Sequence, residues 1–166
     1  MGLFDALFGK KMPTVTSILP SAAKQELMAG RLPQLNTDTL FLKNGERVHF
    51  IDKAMNMEEK TKKTFQHIGF STPGLFKGNR ISYGRGKPIE KQENVFHAGI
   101  LYITNRRIVF QAKENGFDKE FKHLTTIVPY NNAVDLQFGN KSYTLLVADG
   151  AIVNQTIQLI RQRRTI

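Results

Sequence analysis

Residues 99–110 read GILYITNRRIVF, Gly99 to Phe110, two short apolar runs rich in β-branched and aromatic residues around the polar knot Asn105-Arg106-Arg107. Ile100–Ile103 and Ile108–Phe110 have the composition of strands. The shortest link between them is a two-residue turn at Asn105-Arg106, since Asn tolerates the left-handed conformation such turns use. Arg107 then begins the returning strand, where Ile108 and Phe110 alternate with Val109. As chemistry the arginine pair suggests an anion site; as geometry it is expected to serve the turn and its solvated rim.

Downstream, Val134, Leu136 and Phe138 alternate with Asp135 and Gln137, and Gly139-Asn140 separates them from Tyr143, Leu145 and Val147. That spacing predicts a second hairpin, with Gly supplying a positive φ at the first turn position. Asp149 is placed to cap a final helix, GAIVNQTIQLIRQRR, whose Ile152, Val153, Thr156, Ile157, Leu159 and Ile160 form an apolar stripe. Arg161, Arg163 and Arg164 fall where a helix C-terminus favours cations. Upstream, SAAKQELMAG reads as a helix with Ser21 as N-cap and Gly30 as stop, and Pro33 blocks continuation. From Thr37 the chain turns to short strand-like runs, first ERVHFID, then a looser region to Phe96. Several strands followed by one amphipathic helix predict a mainly β (α+β) domain, a small antiparallel barrel or sandwich with the helix closing an open end.

The chain has 166 residues, 40% of them hydrophobic and 23% charged, with twelve Phe and four Tyr, which fits one folded domain with an appendage. No stretch reaches the roughly 20 apolar residues of a membrane span. Cysteine is absent, which removes disulfides, thiolate metal sites and a Cys nucleophile together. The start lacks a signal peptide's apolar region, so a cytoplasmic location is expected. Lysine and arginine exceed the acids by 10, which predicts attraction to lipid headgroups, nucleic acid or acidic proteins.

The GILYITNRRIVF stretch resembles the central hairpin of GRAM and related pleckstrin-homology-like domains. The following meander FKHLTTIVPYNNAVDLQFGNKSYTLLVADG and the last helix fall in the order that superfamily has, and GFSTPGLFKGNRISYGRG looks like the region before the hairpin in bacterial members of uncharacterised role. The resemblance covers residues 37–164. It implies a pleckstrin-homology-like barrel, two nearly orthogonal antiparallel sheets of seven strands capped by a C-terminal helix, and a binding module for lipids or protein segments that is usually not an enzyme. Residues 1–36 are then a helical N-terminal extension and linker, and 37–166 the domain.

Two regions are candidates for contact with a partner. Leu3, Phe4, Leu7 and Phe8 share one helical face and precede Lys10 and Lys11, as an interfacial membrane helix would require; the alternative is docking on the domain itself or on a partner chain. Gly2 lacks the Ser or Thr four positions on that a myristoylation signal wants, having Ala6 there. Residues 60–91 hold Lys60, Lys62, Lys63, Lys77, Arg80, Arg85, Lys87 and Lys91 against Glu90 alone, a local balance of +7, with Phe65, Phe70, Phe76 and Tyr83 interleaved. Such a region suits an anionic bilayer or, by stacking, single-stranded nucleic acid. The basic spacing that accompanies phosphoinositide recognition in pleckstrin-homology domains is missing from Lys77, Arg80 and Arg85.

Catalytic patterns fail. His49, His67, His97 and His123 are scattered without metal-ligand spacing, ISYGRGKP has Ile81 and Pro88 where a P-loop needs Gly and Ser or Thr, and the adjacent Glu58 and Glu59 have no evident partner. No enzyme activity, cofactor or metal is expected. The reading is a peripheral-membrane or adaptor module; the alternatives are a nucleic-acid-binding protein using residues 60–91, or a purely protein-interaction or self-associating domain that uses strand edges or the N-terminal helix.

Overall fold

The computed structural model of the chain describes residues 12–65 and 88–164, and their side chains except at 62–65, 88–92 and 164. Its order is α1 (Ser21–Met28), β1 (Val48–Phe65), β2 (Pro88–Thr104), β3 (Arg107–Ala112), β4 (Phe117–Glu120), a 3₁₀ turn (Phe121–His123), β5 (Leu124–Pro129), β6 (Ala133–Phe138), β7 (Lys141–Val147) and α2 (Gly150–Arg164). The seven strands form one hydrogen-bonded series, β4-β3-β2-β1-β7-β6-β5. This is the mainly β architecture with a C-terminal helix that the strand and helix patterns predict. The chain divides into two compact units, Met1–Glu58 with Phe96–Ile166, and Glu59–Val95.

In the larger unit the sheet curls until its two halves face each other. Phe117 on β4 stacks on Tyr143 of β7, ring centroids 4.1 Å apart, and lies 6.2 Å from Phe138 on β6. Strands four places apart in the series can touch only if the sheet bends back over its inner face. Phe50, Leu101, Ile103, Ile108, Leu136 and Leu145 fill the space between, and Ile152, Val153, Ile157 and Ile160 of α2 close it. Asp149 caps α2 as its position predicts, its Oδ1 accepting from the Ala151 amide at 3.0 Å.

Both hairpin turns have two central residues, with different chemistry. At Gly139-Asn140 the glycine takes φ +62 and pairing begins at once with Phe138 opposite Lys141. At Asn105-Arg106 the expectation of a left-handed Asn is wrong: among the described residues the one non-glycine with positive φ is Asn115. The turn is held instead by Thr104, whose Oγ1 accepts from the amides of Arg106 (3.1 Å) and Arg107 (3.0 Å).

The sequence pattern also misses the lengths of β1 and β2. They run 18 and 17 residues, so much of the region read as loose is strand. The stretch EEKTKK on β1 shows no apolar alternation, so periodicity does not mark it. Ser21 is not the N-cap of α1 either. Pro20 holds that position, and no side chain caps the helix.

Segments before β1 cover the sheet's outer face. Leu27 of α1 is fully buried in the main core. Met12 and Val15 pack on Ala133 and Leu146, while Leu35 and Leu40 pack around Val48, Tyr102 and Val109. Buried Asp52 on β1 fastens the first of these segments, accepting from Ser17 Oγ at 2.7 Å and the Ile18 amide at 2.6 Å.

Gly99, which opens the hairpin motif, faces Ala112 across the β2–β3 pair. A β-carbon there would run into the carbonyl oxygen of Gln111 and come within 2.8 Å of Ala112 Cβ and 2.9 Å of the Phe110 ring. Gly99→Ala should lose about 1–3 kcal/mol through overpacking. Urea unfolding of the variant with an unchanged midpoint would contradict this.

Candidate functional site

The two arginines of the β2–β3 turn have opposite fates. Arg107 is buried and clasps Glu46, whose side chain is fully removed from solvent. Its Nε donates to Glu46 Oε2 at 2.9 Å and its Nη2 to Oε1 at 3.0 Å, while Nη1 reaches Asp118 Oδ2 at 2.6 Å and Nη2 also donates to the Phe41 carbonyl. Glu46 accepts further from the Lys43 amide at 3.2 Å and from Thr104 Oγ1 at 3.3 Å. Burial alone would raise the Glu46 pKa, but the Arg107 and Lys43 hydrogen bonds and the Arg107 charge outweigh it and hold the carboxyl below 4.5. The expectation that both arginines form a solvated rim is therefore wrong for Arg107. Its charge is spent inside the fold.

Arg106 is exposed, as the turn reading expects. Its guanidinium lies over Gly45, where a β-carbon would be 3.2 Å from Nη2. Beside it, Asn105 ties residues 45–47 to the turn: its Nδ2 donates to the Gly45 carbonyl (3.2 Å), its Oδ1 accepts from the Arg47 amide (2.8 Å), and its own amide donates to the Arg47 carbonyl (3.0 Å).

This stitching builds a pocket of about 280 Å³ where the start of β1, the β2–β3 turn and the end of α2 meet. Arg47, His49, Asn105 and Arg163 line it, with Leu32 and Ile160 as apolar wall. His49 is buried, and its Nδ1 donates to the Pro33 carbonyl at 2.7 Å. Burial, first, and then the charges of Arg163 and Arg47 push its pKa below 6.5, against the Pro33 hydrogen bond, which raises it. The ring is thus neutral at neutral pH, between two cations that feel it electrostatically.

Arg47, Arg106 and Arg163 are all exposed, and among the described residues none has a carboxylate partner. The C-terminal end of α2 opposes an anion by about 0.3–1 kcal/mol, less than one charge-assisted hydrogen bond at about 1.5–3 kcal/mol. Of the three, Arg47 and Arg163 line the pocket.

None of the basic and apolar residues singled out from the sequence for binding is among the described residues that line this pocket. Lys60 is exposed on β1; Lys62 and Lys63 are on β1 and Lys91 on β2, with side chains outside the described residues. Lys77, Arg80, Arg85 and Lys87 lie outside the described residues, as do Leu3, Phe4, Leu7, Phe8, Lys10 and Lys11. The sequence pattern marks none of Arg47, His49 and Asn105 as a binding residue, and it accounts for Arg163 as a helix-end cation. They are scattered along the chain, and no local motif joins them.

Neither a protein-family model nor a curated protein matches the chain. Among solved structures it is similar to the Vps36 N-terminal PH domain, at 16% identity, covering 81% of this chain and 94% of that one, with a TM-score of 0.46.

Removing one partner of the clasp leaves an uncompensated buried charge. Arg107→Ala should therefore cost about 3–5 kcal/mol, and Glu46→Ala should be destabilising as well; a loss below 1 kcal/mol in either would show the clasp to be dispensable. Stability should also fall in acid in two stages. His49 is held below its unfolded pKa, so the unfolded chain binds more protons once pH drops beneath 6.5. The Glu46 contribution is intact above 4.5 and is lost as pH falls through its lower folded value. Urea midpoints measured from pH 8 to 3 check both, and His49→Gln should flatten the first stage only.

Proposed function

We propose that this chain is a non-catalytic binding module of GRAM-like, pleckstrin-homology-like type that attaches to anionic membrane surfaces in the cytoplasm. The observation that carries the reading is the group of three exposed guanidiniums, Arg47, Arg106 and Arg163, without acidic partners among the described residues. An arginine evolved only for stability gains little by standing unpaired at a surface. Two of them, Arg47 and Arg163, line one pocket, and Arg106 stands over Gly45 in its wall, which favours an anionic ligand. The eight basic residues between Lys60 and Lys91 and the apolar face Leu3, Phe4, Leu7 and Phe8 add charge and insertion to the same behaviour, since reversible attachment generally needs two weak signals.

Cosedimentation of the full chain with phosphatidylcholine vesicles, with and without phosphatidylserine, tests this. Binding should require the anionic lipid, weaken with salt and weaken again when residues 1–11 are removed. Replacing Arg47, Arg106 and Arg163 by Ala should cost about 1 kcal/mol, roughly fivefold, for each residue near the surface. Equal behaviour on both lipids, unaffected by the truncation, would refute the membrane reading. Salt-sensitive retention on single-stranded nucleic acid, lost in Phe76→Ala and Tyr83→Ala, would replace it with the nucleic-acid reading.

A further inference from the structure

We propose that the pocket formed by Arg47, His49, Asn105 and Arg163 is a site for a phosphate monoester, recognised through one proton shared between the phosphate and His49. The proposal deepens the reading of the chain as a module for anionic groups by naming the chemistry of one such group.

The hydrogen bond to Pro33 sets the His49 tautomer. The Pro33 carbonyl can only accept, so the 2.7 Å contact fixes the ring proton on Nδ1 and leaves Nε2 as an acceptor. The pocket therefore combines exposed guanidiniums from the residue before β1 and from α2 with an acceptor nitrogen on a buried ring. Sulfate, a carboxylate and a phosphodiester satisfy the guanidiniums but carry no proton at neutral pH, so each either sets lone pairs against Nε2 or, as a phosphate dianion also must, draws a proton from solvent onto the ring. A phosphate monoester ionises a second time near pH 6. As the monoanion it brings a P–OH that donates to Nε2; as the dianion it draws a proton onto the ring.

The groups facing His49 are consistent with that selection. Arg47 stands just ahead of its strand; α2 contributes Arg163 and the apolar Ile160; residues 32 and 33 contribute an apolar side chain and a carbonyl; the turn contributes neutral Asn105. Among the described residues no carboxylate lines the pocket. In the empty site both arginines and burial disfavour a proton on His49, and an incoming dianion reverses the sign of that field. At about 280 Å³ the pocket is just below the roughly 300–1,000 Å³ of drug-sized sites, which suits a phosphate with a small polar attachment. Planar guanidinium forks match phosphate oxygens in pairs.

NMR titration of the full chain with inorganic phosphate and with sulfate at matched ionic strength, from pH 6 to 8.5, tests the site. Phosphate should shift the Arg47 and Asn105 amides and the His49 ring signals and saturate. Sulfate should bind at least about tenfold more weakly, and phosphate affinity should fall by up to about tenfold per pH unit once the ligand is fully dianionic. Arg47→Ala and Arg163→Ala alter exposed side chains and should each cost about tenfold, with the spectrum otherwise preserved. Equal response to the two anions, shifts confined to other residues, or indifference to both substitutions would overturn the proposal.

The source of the monoester is separated by comparing glycerol 3-phosphate in solution with vesicles containing phosphatidic acid or phosphatidylserine at equal charge. Sedimentation with phosphatidic acid that is lost in Arg163→Ala assigns the site to a lipid headgroup. A saturable glycerol 3-phosphate response without sedimentation on either vesicle assigns it to a soluble ester, and refutes the membrane reading while leaving the phosphate site standing. Phosphatidylserine binding without any phosphate response does the reverse.

Discussion

The ion pair between Arg107 and Glu46 is the constraint on which the rest of this end of the molecule depends. A carboxylate with no solvent exposure costs several kcal/mol in lost hydration, and only a dense set of donors repays that. Here Arg107 supplies two nitrogens, the Lys43 amide and the Thr104 hydroxyl complete the shell, and Asp118 on β4 shares the guanidinium. The pair thereby pins residues 41–46, which have no regular structure to hold them, against β3 and β4. Once Glu46 is fixed, Arg47 must emerge beside Asn105 and His49 must turn inward two positions later. The geometry of the pocket is in this sense a by-product of one buried charge.

A second constraint is that the core stretches of β1 (48–50), β2 (101–104) and β3 (107–110) are covered on both faces. Ile108 and Phe110 enter the core while Val109 and Tyr102 meet Leu35 and Leu40 on the other side. Two-sided burial explains why β3 begins with four buried residues in succession instead of alternating. It also sets the role of residues 12–40, which supply the outer layer through Met12, Val15, Leu35 and Leu40 and deliver Leu27 to the inner one. Asp52 and His49 are the polar fasteners of that layer, each holding a passing segment by its backbone.

Much of the fold was legible where structure is local. The Gly139-Asn140 turn, the Asp149 cap and the apolar stripe of α2 each follow from a few neighbouring residues, because turn and cap chemistry acts over two to four positions. The strands that continue past the core were not legible, since EEKTKK has no apolar period to reveal them. The pocket was less legible still. Arg47, Asn105 and Arg163 become neighbours only through the curl of the sheet and the return of α2, and one of the two arginines that as chemistry suggest an anion site, Arg107, is consumed by Glu46. Nothing at residue 107 itself distinguishes it from residue 106; the difference lies with a carboxylate 61 positions away.

That contrast bears on how the positive charge of this chain is to be read. Adjacent arginines on one turn divide into one whose charge is neutralised by buried Glu46 and by Asp118 at the surface, and one whose charge is left without an acid. Net charge counts them equally, although only the second can act on a partner. The same test applied to Arg47 and Arg163 puts both with Arg106, and their placement around a neutral, proton-accepting imidazole turns an unspecific cationic rim into a site with a chemical preference. Electrostatic attraction alone would accept any anion, and its strength would follow the salt concentration. The acceptor nitrogen adds a requirement that charge cannot satisfy, and it is this unfavourable contact with proton-free anions, more than the arginines, that would give the pocket its selectivity.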